Sequence, residues 1–171
     1  MKKIIVFLML LLFPLITYAE DVTTFSIEDI TASAGENVTI KLNIENKKEF
    51  GVLTARVHYD KTKLEYVSSE LNGLKSMLRG SDNNAEKGMV ILYAINLSGS
   101  NKMKDNGNIM VTEFKIKDDV TDDIPLKIEI KDFGVDENTP LKYETKDGVI
   151  KIKKDVSSVN TKDELSIIFF L

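Results

Sequence analysis

Cysteine and tryptophan are absent from this 171-residue sequence, and histidine occurs once, as His58. Without cysteine the chain has neither a disulfide nor a thiol nucleophile, so a folded domain must be held by its apolar core. The single histidine lies at the end of a strand pattern, on its outward side, where a surface residue is expected. The 27 acidic residues are scattered, and no pair stands out as a catalytic pair of carboxylates. An enzyme is therefore the weakest hypothesis, and no catalytic residue is predicted.

Basic side chains are fewer than acidic ones, 23 against 27, for a net charge of −4. The charges of both signs are interspersed, which is typical of a solvated surface. A net negative charge opposes binding to the phosphate backbone of a nucleic acid, so no nucleic-acid partner is predicted.

The first 19 residues have the pattern of an export signal. Lys2 and Lys3 precede the apolar run 4–16, and Thr17-Tyr18-Ala19 supplies a cleavage site with a small final residue. We therefore expect a signal peptide at 1–19, a secreted or extracellular protein, and one folded domain at 20–153. A polar linker and a short apolar tail follow at 154–171. The tail is too short to span a bilayer, and is either a truncated membrane anchor, which would attach the chain to the cell surface, or a segment packed on the domain.

Alternation of apolar and polar residues predicts an all-β fold. Val38, Ile40, Leu42 and Ile44 are separated by polar residues, and the pattern recurs at 51–59, 109–117, 126–131 and 149–152. Eight or nine strands with closely spaced turns and no long helical period predict a two-sheet β-sandwich of jelly-roll topology, with about nine strands.

Local expectations accompany this pattern. Residues 23–30 are predicted as one strand, and 64–67 as a short strand. A helical turn is expected near 74–78, a polar loop at 80–84 and a long polar turn at 99–108. Asp60 is expected to accept hydrogen bonds from the backbone amides that follow it, with Leu64 anchoring that turn.

The segments Ala34–Ile40, His58–Leu64 and Val111–Lys117, in this order and spacing, resemble the cohesin domain family over residues 24–153. The resemblance implies a nine-stranded jelly-roll, secretion and a place in polysaccharide breakdown, where cohesins bind the dockerin modules of glycoside hydrolases. It also implies that the partner docks on a sheet face that includes the strands matching 51–59 and 89–97.

Residues 89–97 are apolar on both faces, which requires an explanation. If alternate residues point inward, the outward residues of the two strands form an apolar patch with polar neighbours. The predicted partner-binding residues are Val52, Thr54, Arg56, Ile91, Tyr93 and Ile95. The alternative is that a loop or the C-terminal tail covers this strand on both sides.

The resemblance is incomplete on that face. Familiar cohesins have Asn and Asp where Val52 and Thr54 occur, and a carboxylate near the position of Ile95. Because those polar groups accept hydrogen bonds from dockerin, a more apolar partner interface or another ligand remains open.

Two other functions remain as alternatives. A carbohydrate-binding module would bind polysaccharide directly through exposed rings, for which Tyr93, Tyr143 and Phe50 are the candidates, although core or turn packing is the favoured role of each. A structural or adhesive cell-surface domain would need no dedicated pocket. Asp105–Asn108 and the acidic residues of 118–123 could hold calcium, but neither has the spacing of an EF-hand loop. No metal site and no cofactor are predicted.

Overall fold

The computed structural model describes residues 22–75, 77–97 and 106–154, and this part of the chain is all strand and turn. Most of the strands alternate apolar with polar residues and are rich in β-branched side chains, so each strand can bury one face. The strands are β1 (Thr23–Ile27), β2 (Ile30–Ala32), β3 (Asn37–Glu45), β4 (Val52–His58), β5 (Leu64–Leu71), β6 (Leu78–Asn84), β7 (Met89–Ile95), β8 (Gly107–Ile116), β9 (Ile124–Asp136), β10 (Thr139–Pro140), β11 (Tyr143–Lys146) and β12 (Gly148–Ile152).

Two sheets pack face to face. The five-stranded sheet has the order β11-β1-β3-β8-β5, and the seven-stranded sheet has the order β2-β12-β9-β4-β7-β6 with β10 beside β9. The predicted two-sheet jelly-roll sandwich is therefore confirmed. The described residues contain twelve strands rather than about nine. Several of the additional strands are too short to show a clear alternation in the sequence.

The core lies between the sheets and contains the predicted inward residues. Leu42 on β3 and Leu53, Ala55 and Val57 on β4 are all buried. Phe25 of the five-stranded sheet meets Phe133 of the seven-stranded sheet edge-to-face, with ring centroids 5.2 Å apart. Aromatic pairs of this kind add to the free energy gained by burial, so the two sheets are joined through their largest side chains.

The segment 23–30 is not one strand. β1 belongs to the five-stranded sheet and β2 to the seven-stranded sheet, with Glu28 and Asp29 between them. Asp29 Oδ1 accepts a hydrogen bond from Val149 N at 3.0 Å, and its Oδ2 lies 2.9 Å from Lys151 Nζ. Asp29 therefore ties the crossing to β12, and the prediction of a continuous strand was wrong because alternation alone does not reveal a change of sheet.

The prediction of a polar loop at 80–84 was also wrong. These residues lie in β6, which pairs with β7 from Leu78↔Ile95 to Asn84↔Met89. β6 is the edge of its sheet, where polar residues are tolerated because one side of the strand faces water. Pairing with the apolar strand β7 therefore outweighs the preference of these side chains for turns.

Before β6, Leu74 is buried with φ of 49°, and Met77 N donates to Leu74 O at 3.0 Å. Gly73, with φ of 60°, precedes Leu74, so two consecutive left-handed residues stand where a helical turn was predicted to begin, and Leu78 already belongs to β6. The strand expected at 64–67 continues to Leu71 as β5.

The turn after β4 is formed as predicted. Asp60 Oδ1 accepts hydrogen bonds from Thr62 N at 2.8 Å and Thr62 Oγ1 at 2.6 Å, and Leu64 is buried. The bond from the Thr62 side chain, followed by the one from its backbone, lowers the pKa of Asp60. This turn holds the chain as it leaves β4 for the opposite sheet.

Several predictions lie outside the described residues: the signal peptide at 1–19, most of the polar turn at 99–108, and nearly all of the linker and tail. Gly107 and Asn108 of that turn belong to β8. No helix in the described ranges is long and apolar enough to cross a membrane.

Candidate partner-binding face

The six residues predicted to bind a partner lie on one surface. β4 and β7 are antiparallel neighbours whose register forms three outward cross-strand pairs. These pairs are Val52–Ile95, Thr54–Tyr93 and Arg56–Ile91. The structure therefore brings together all six side chains on the outer face of the seven-stranded sheet.

Strand geometry explains why β7 is apolar on both faces. Val90, Leu92 and Ala94 are buried in the core, and the residues between them point outward. Tyr93 remains 48% exposed. No loop of the described residues buries Tyr93, and the C-terminal tail, the other cover that the alternative named, lies outside the described residues.

β6 adds two residues that the sequence did not assign to this face. Leu78 pairs with Ile95 and is 58% exposed, and Gly80 pairs with Tyr93. A Cβ on Gly80 would overlap the Tyr93 ring, so the ring lies directly over this glycine. The residues of β6 after Leu78 are mostly turn-forming, so no local pattern indicates this strand. We call Val52, Leu78, Tyr93 and Ile95 the apolar end of the face.

The opposite part of the face is ionic. Glu129 on β9 lies 2.7 Å from Lys131 Nζ, 2.9 Å from His58 Nε2 and 3.3 Å from Arg56 Nη1. The hydrogen bond from Lys131, then that from His58, and a smaller contribution from Arg56 lower the pKa of Glu129 to about 2. We call these four residues the charged end. Arg56 is thus held by a carboxylate of its own sheet.

Glu129 was not predicted, because two of its three partners, Arg56 and His58, lie 73 and 71 residues earlier in the chain and only sheet pairing brings them together with it. His58 is half-buried on the surface. This position agrees with the surface residue that was expected, and its contact with Glu129 gives His58 a structural role.

A groove of about 600 Å³ borders the apolar end, between the β4–β7 surface and the chain around β10 and β11. Its lining includes Val52, Tyr93, Ile95, Lys131, Asp132, Asp136, Glu137, Pro140, Leu141 and Tyr143. A second hollow of about 240 Å³ shares Val52, Ile95, Asp136 and Glu137 with it. The two hollows therefore adjoin along one side of the apolar end.

The three rings considered for sugar binding have different positions. Phe50 is fully buried and packed on Phe133 with a centroid distance of 5.3 Å, so it is a core residue and cannot stack on a sugar. Tyr93 and Tyr143 are exposed and both line the groove. Tyr143 is fixed by its hydroxyl, which donates to Ile130 O at 3.3 Å, and by edge contacts with Phe25 and Phe133.

Among the described residues, no group of three or more histidine, aspartate or glutamate side chains is arranged to hold a metal ion. The acidic residues of 118–123 do not form such a group, and Asp105 lies outside the described ranges.

The description "Cohesin domain" belongs to the family model that matches residues 23–152. No curated protein sequence matches the chain. The third cohesin of ScaC from Acetivibrio cellulolyticus, solved in complex with the ScaB dockerin, superposes with a TM-score of 0.68 at 17% identity, covering 77% of this chain and 99% of that one.

Two further solved structures have the same fold. The seventh ScaB type I cohesin from Pseudobacteroides cellulosolvens has a TM-score of 0.64 at 21% identity, covering 77% of this chain and 92% of its own. A non-cellulosomal cohesin from the archaeon Archaeoglobus fulgidus also has a TM-score of 0.64, at 16% identity, covering 78% and 92%. The last example indicates that the fold also occurs outside cellulosomes.

Proposed function

The chain belongs to the cohesin family, and from that premise we propose that it is a secreted, non-catalytic module that binds a dockerin-like protein module. Its place would be a polysaccharide-degrading system, in which such a pair attaches an enzyme to a scaffold. Secretion is supported by the export pattern of residues 1–19.

The observation that carries this proposal is the apolar end of the outer face. Val52, Tyr93 and Ile95 lie on two central strands of a sheet whose opposite side is already filled by the core. Exposed apolar patches on internal strands are typical of protein interfaces rather than of solvated sheets. A protein surface that covers them would remove this apolar area from water, which is the main favourable contribution to association.

Tyr93 is the residue expected to contribute most. It is large, nearly half exposed and supported from below by Gly80. Tyrosine is enriched among residues that dominate binding energy, since it adds a large contact area with few rotatable bonds. The mechanism is therefore surface complementarity centred on Tyr93 and Ile95, with Arg56 at the border between the apolar and charged ends.

Val52 and Thr54 occupy positions where dockerin-binding relatives, by resemblance, have Asn and Asp. Without those hydrogen-bond acceptors a partner that depends on them loses its polar contacts and leaves its own donors unpaired. We therefore propose a dockerin-like partner whose contact surface is more apolar than usual.

The test is calorimetric titration of the purified protein with each dockerin module encoded in the same genome. Ile95→Asp should weaken binding at least tenfold, since a charge would be buried in the interface, and Tyr93→Ala should weaken it about fivefold or more. Val67→Asp is the matched control, because Val67 is an exposed apolar residue of β5 in the other sheet.

The thermal unfolding temperature of each variant shows whether the fold is retained. Equal binding by Ile95→Asp and Val67→Asp would reject the assigned face. Failure of every dockerin module to bind would reject the partner class. Retention on insoluble polysaccharide in a parallel assay, with no dockerin bound, would instead identify a carbohydrate-binding module.

A further inference from the structure

The groove beside the apolar end has a strong excess of negative charge. Asp132, Asp136 and Glu137 line it, against a single lysine, Lys131. Lys131 Nζ lies 2.7 Å from Glu129 Oε1, so its positive charge is largely balanced by Glu129 rather than by the carboxylates of the groove. The groove therefore provides a negative potential next to an apolar surface.

Two of these carboxylates are available to a ligand. Asp132 and Glu137 are exposed, and neither forms a salt bridge with another residue in the described ranges. They lie on different segments: Asp132 is in the irregular part of β9, where its register against β4 shifts, and Glu137 follows that strand. An irregular strand re-aims its side chains, and here two consecutive residues, Lys131 and Asp132, are both exposed.

The remaining lining is apolar or aromatic. Val52 and Ile95 form part of the groove, and Tyr93 and Tyr143 contribute rings that are 48% and 43% exposed. The faces of tyrosine rings carry negative charge density and attract cations. An elongated apolar chain that ends in a cation matches every part of this lining, whereas an anion would be opposed by all three carboxylates.

Resting on the proposed binding of a protein partner, we propose that this groove receives a lysine or arginine side chain of that partner. The apolar stem packs on Val52 and Ile95, as long basic side chains do on apolar surfaces, and the cationic head lies between Asp132 and Glu137. The groove would thus select partners with a basic residue beside an apolar contact surface, which adds specificity to the apolar end.

The test uses small probes with nuclear magnetic resonance of the purified nitrogen-15-labelled protein. Butylguanidinium, an arginine side-chain mimic, should shift the amide resonances of Asp132, Glu137 and Tyr93. Pentanoate, of similar length and opposite charge, should leave them unchanged. The double variant Asp132→Asn/Glu137→Gln should weaken butylguanidinium binding about threefold or more, as expected for two exposed ion pairs.

Glu65→Gln/Glu70→Gln is the matched control, since it removes the same charge from exposed positions of β5 in the other sheet, and its affinity should equal that of the unmodified protein. Equal response to pentanoate, or equal affinity in the groove variant, would overturn the proposal. Shifts at the groove with cellopentaose but not butylguanidinium would overturn it in favour of a sugar. The probes need no dockerin, so the failure of dockerin binding is a separate result.

Discussion

The two sheets of this sandwich differ on their outer faces, although both bury their inner faces in the same core. On the five-stranded sheet the outward pairs of β3 and β8 are Asn37–Lys115, Thr39–Glu113 and Lys41–Val111. On the seven-stranded sheet the outward pairs of β4 and β7 are Val52–Ile95, Thr54–Tyr93 and Arg56–Ile91. One face is mostly polar, and the other has an apolar end.

Position in the sheet does not explain the difference, because all four strands are internal. The polar face has the composition expected of a sheet in contact with water, with Asn37 Nδ2 donating to Glu113 Oε1 at 2.9 Å. The apolar end departs from that expectation without any gain in core packing. Its composition is explained if a partner covers it, which is why the function is assigned to this face.

The largest effect is expected from Leu42→Asp, which tests the shared inner side. Leu42 is buried on β3, so an unpaired carboxylate there should cost more than about 4 kcal/mol and unfold most of the protein. Lys41→Asp, one residue away and facing outward, should change stability by less than about 1 kcal/mol. Urea unfolding followed by circular dichroism measures both. Similar destabilisation by the two variants would mean that the assigned inner and outer sides are wrong.

A smaller effect, confined to binding, is expected from Gly80→Ala. The added Cβ would displace the Tyr93 ring, so dockerin affinity should fall about fivefold while the unfolding temperature changes little. In a Tyr93→Ala background the same substitution should have no further effect, since the displaced ring is already absent. Calorimetry measures the affinities in this double-mutant cycle. Additive losses would mean that Gly80→Ala does not act through the Tyr93 ring.

The charged end should differ from the apolar end in its response to acid. The Glu129 pKa is about 2 in the folded protein, below its ordinary value of 4.5. Its contribution to stability is therefore present above pH 4.5 and is lost as the pH falls toward 2. The unfolding temperature of the unmodified protein should thus fall more steeply over this interval than that of Glu129→Gln. Lys131→Met removes the largest cause of the pKa shift, so the unfolding temperature of this variant should fall less steeply with acid than that of the unmodified protein. Parallel curves for the unmodified protein and Glu129→Gln would refute the assignment.

The smallest effect is expected on the outer face of the five-stranded sheet. Thr39→Ala, Lys41→Ala and Lys115→Ala should each change dockerin affinity by less than about twofold, since exposed polar residues outside an interface have little influence. A loss comparable to that of Ile95→Asp would transfer the binding surface to the other sheet.

Regular alternation made the sandwich predictable, because Val38, Leu42 and Leu53 could be assigned inward from period alone. The same rule oriented the six outward residues of β4 and β7 correctly. β6 was missed because its Gly, Ser, Asp and Asn residues favour turns in isolation, and only pairing with β7 makes them a strand. Glu129 and the groove depend on residues that are distant in sequence, so no local pattern indicates them.

The most direct test of the assigned face is the footprint of a bound dockerin module on the labelled protein, measured by cross-saturation in nuclear magnetic resonance. We expect the strongest transfer at Val52, Tyr93 and Ile95, with little at Thr39, Lys41 and Glu113. Transfer concentrated on β3 and β8 would contradict the account, because the polar face would then be the binding surface and the apolar end would need another explanation.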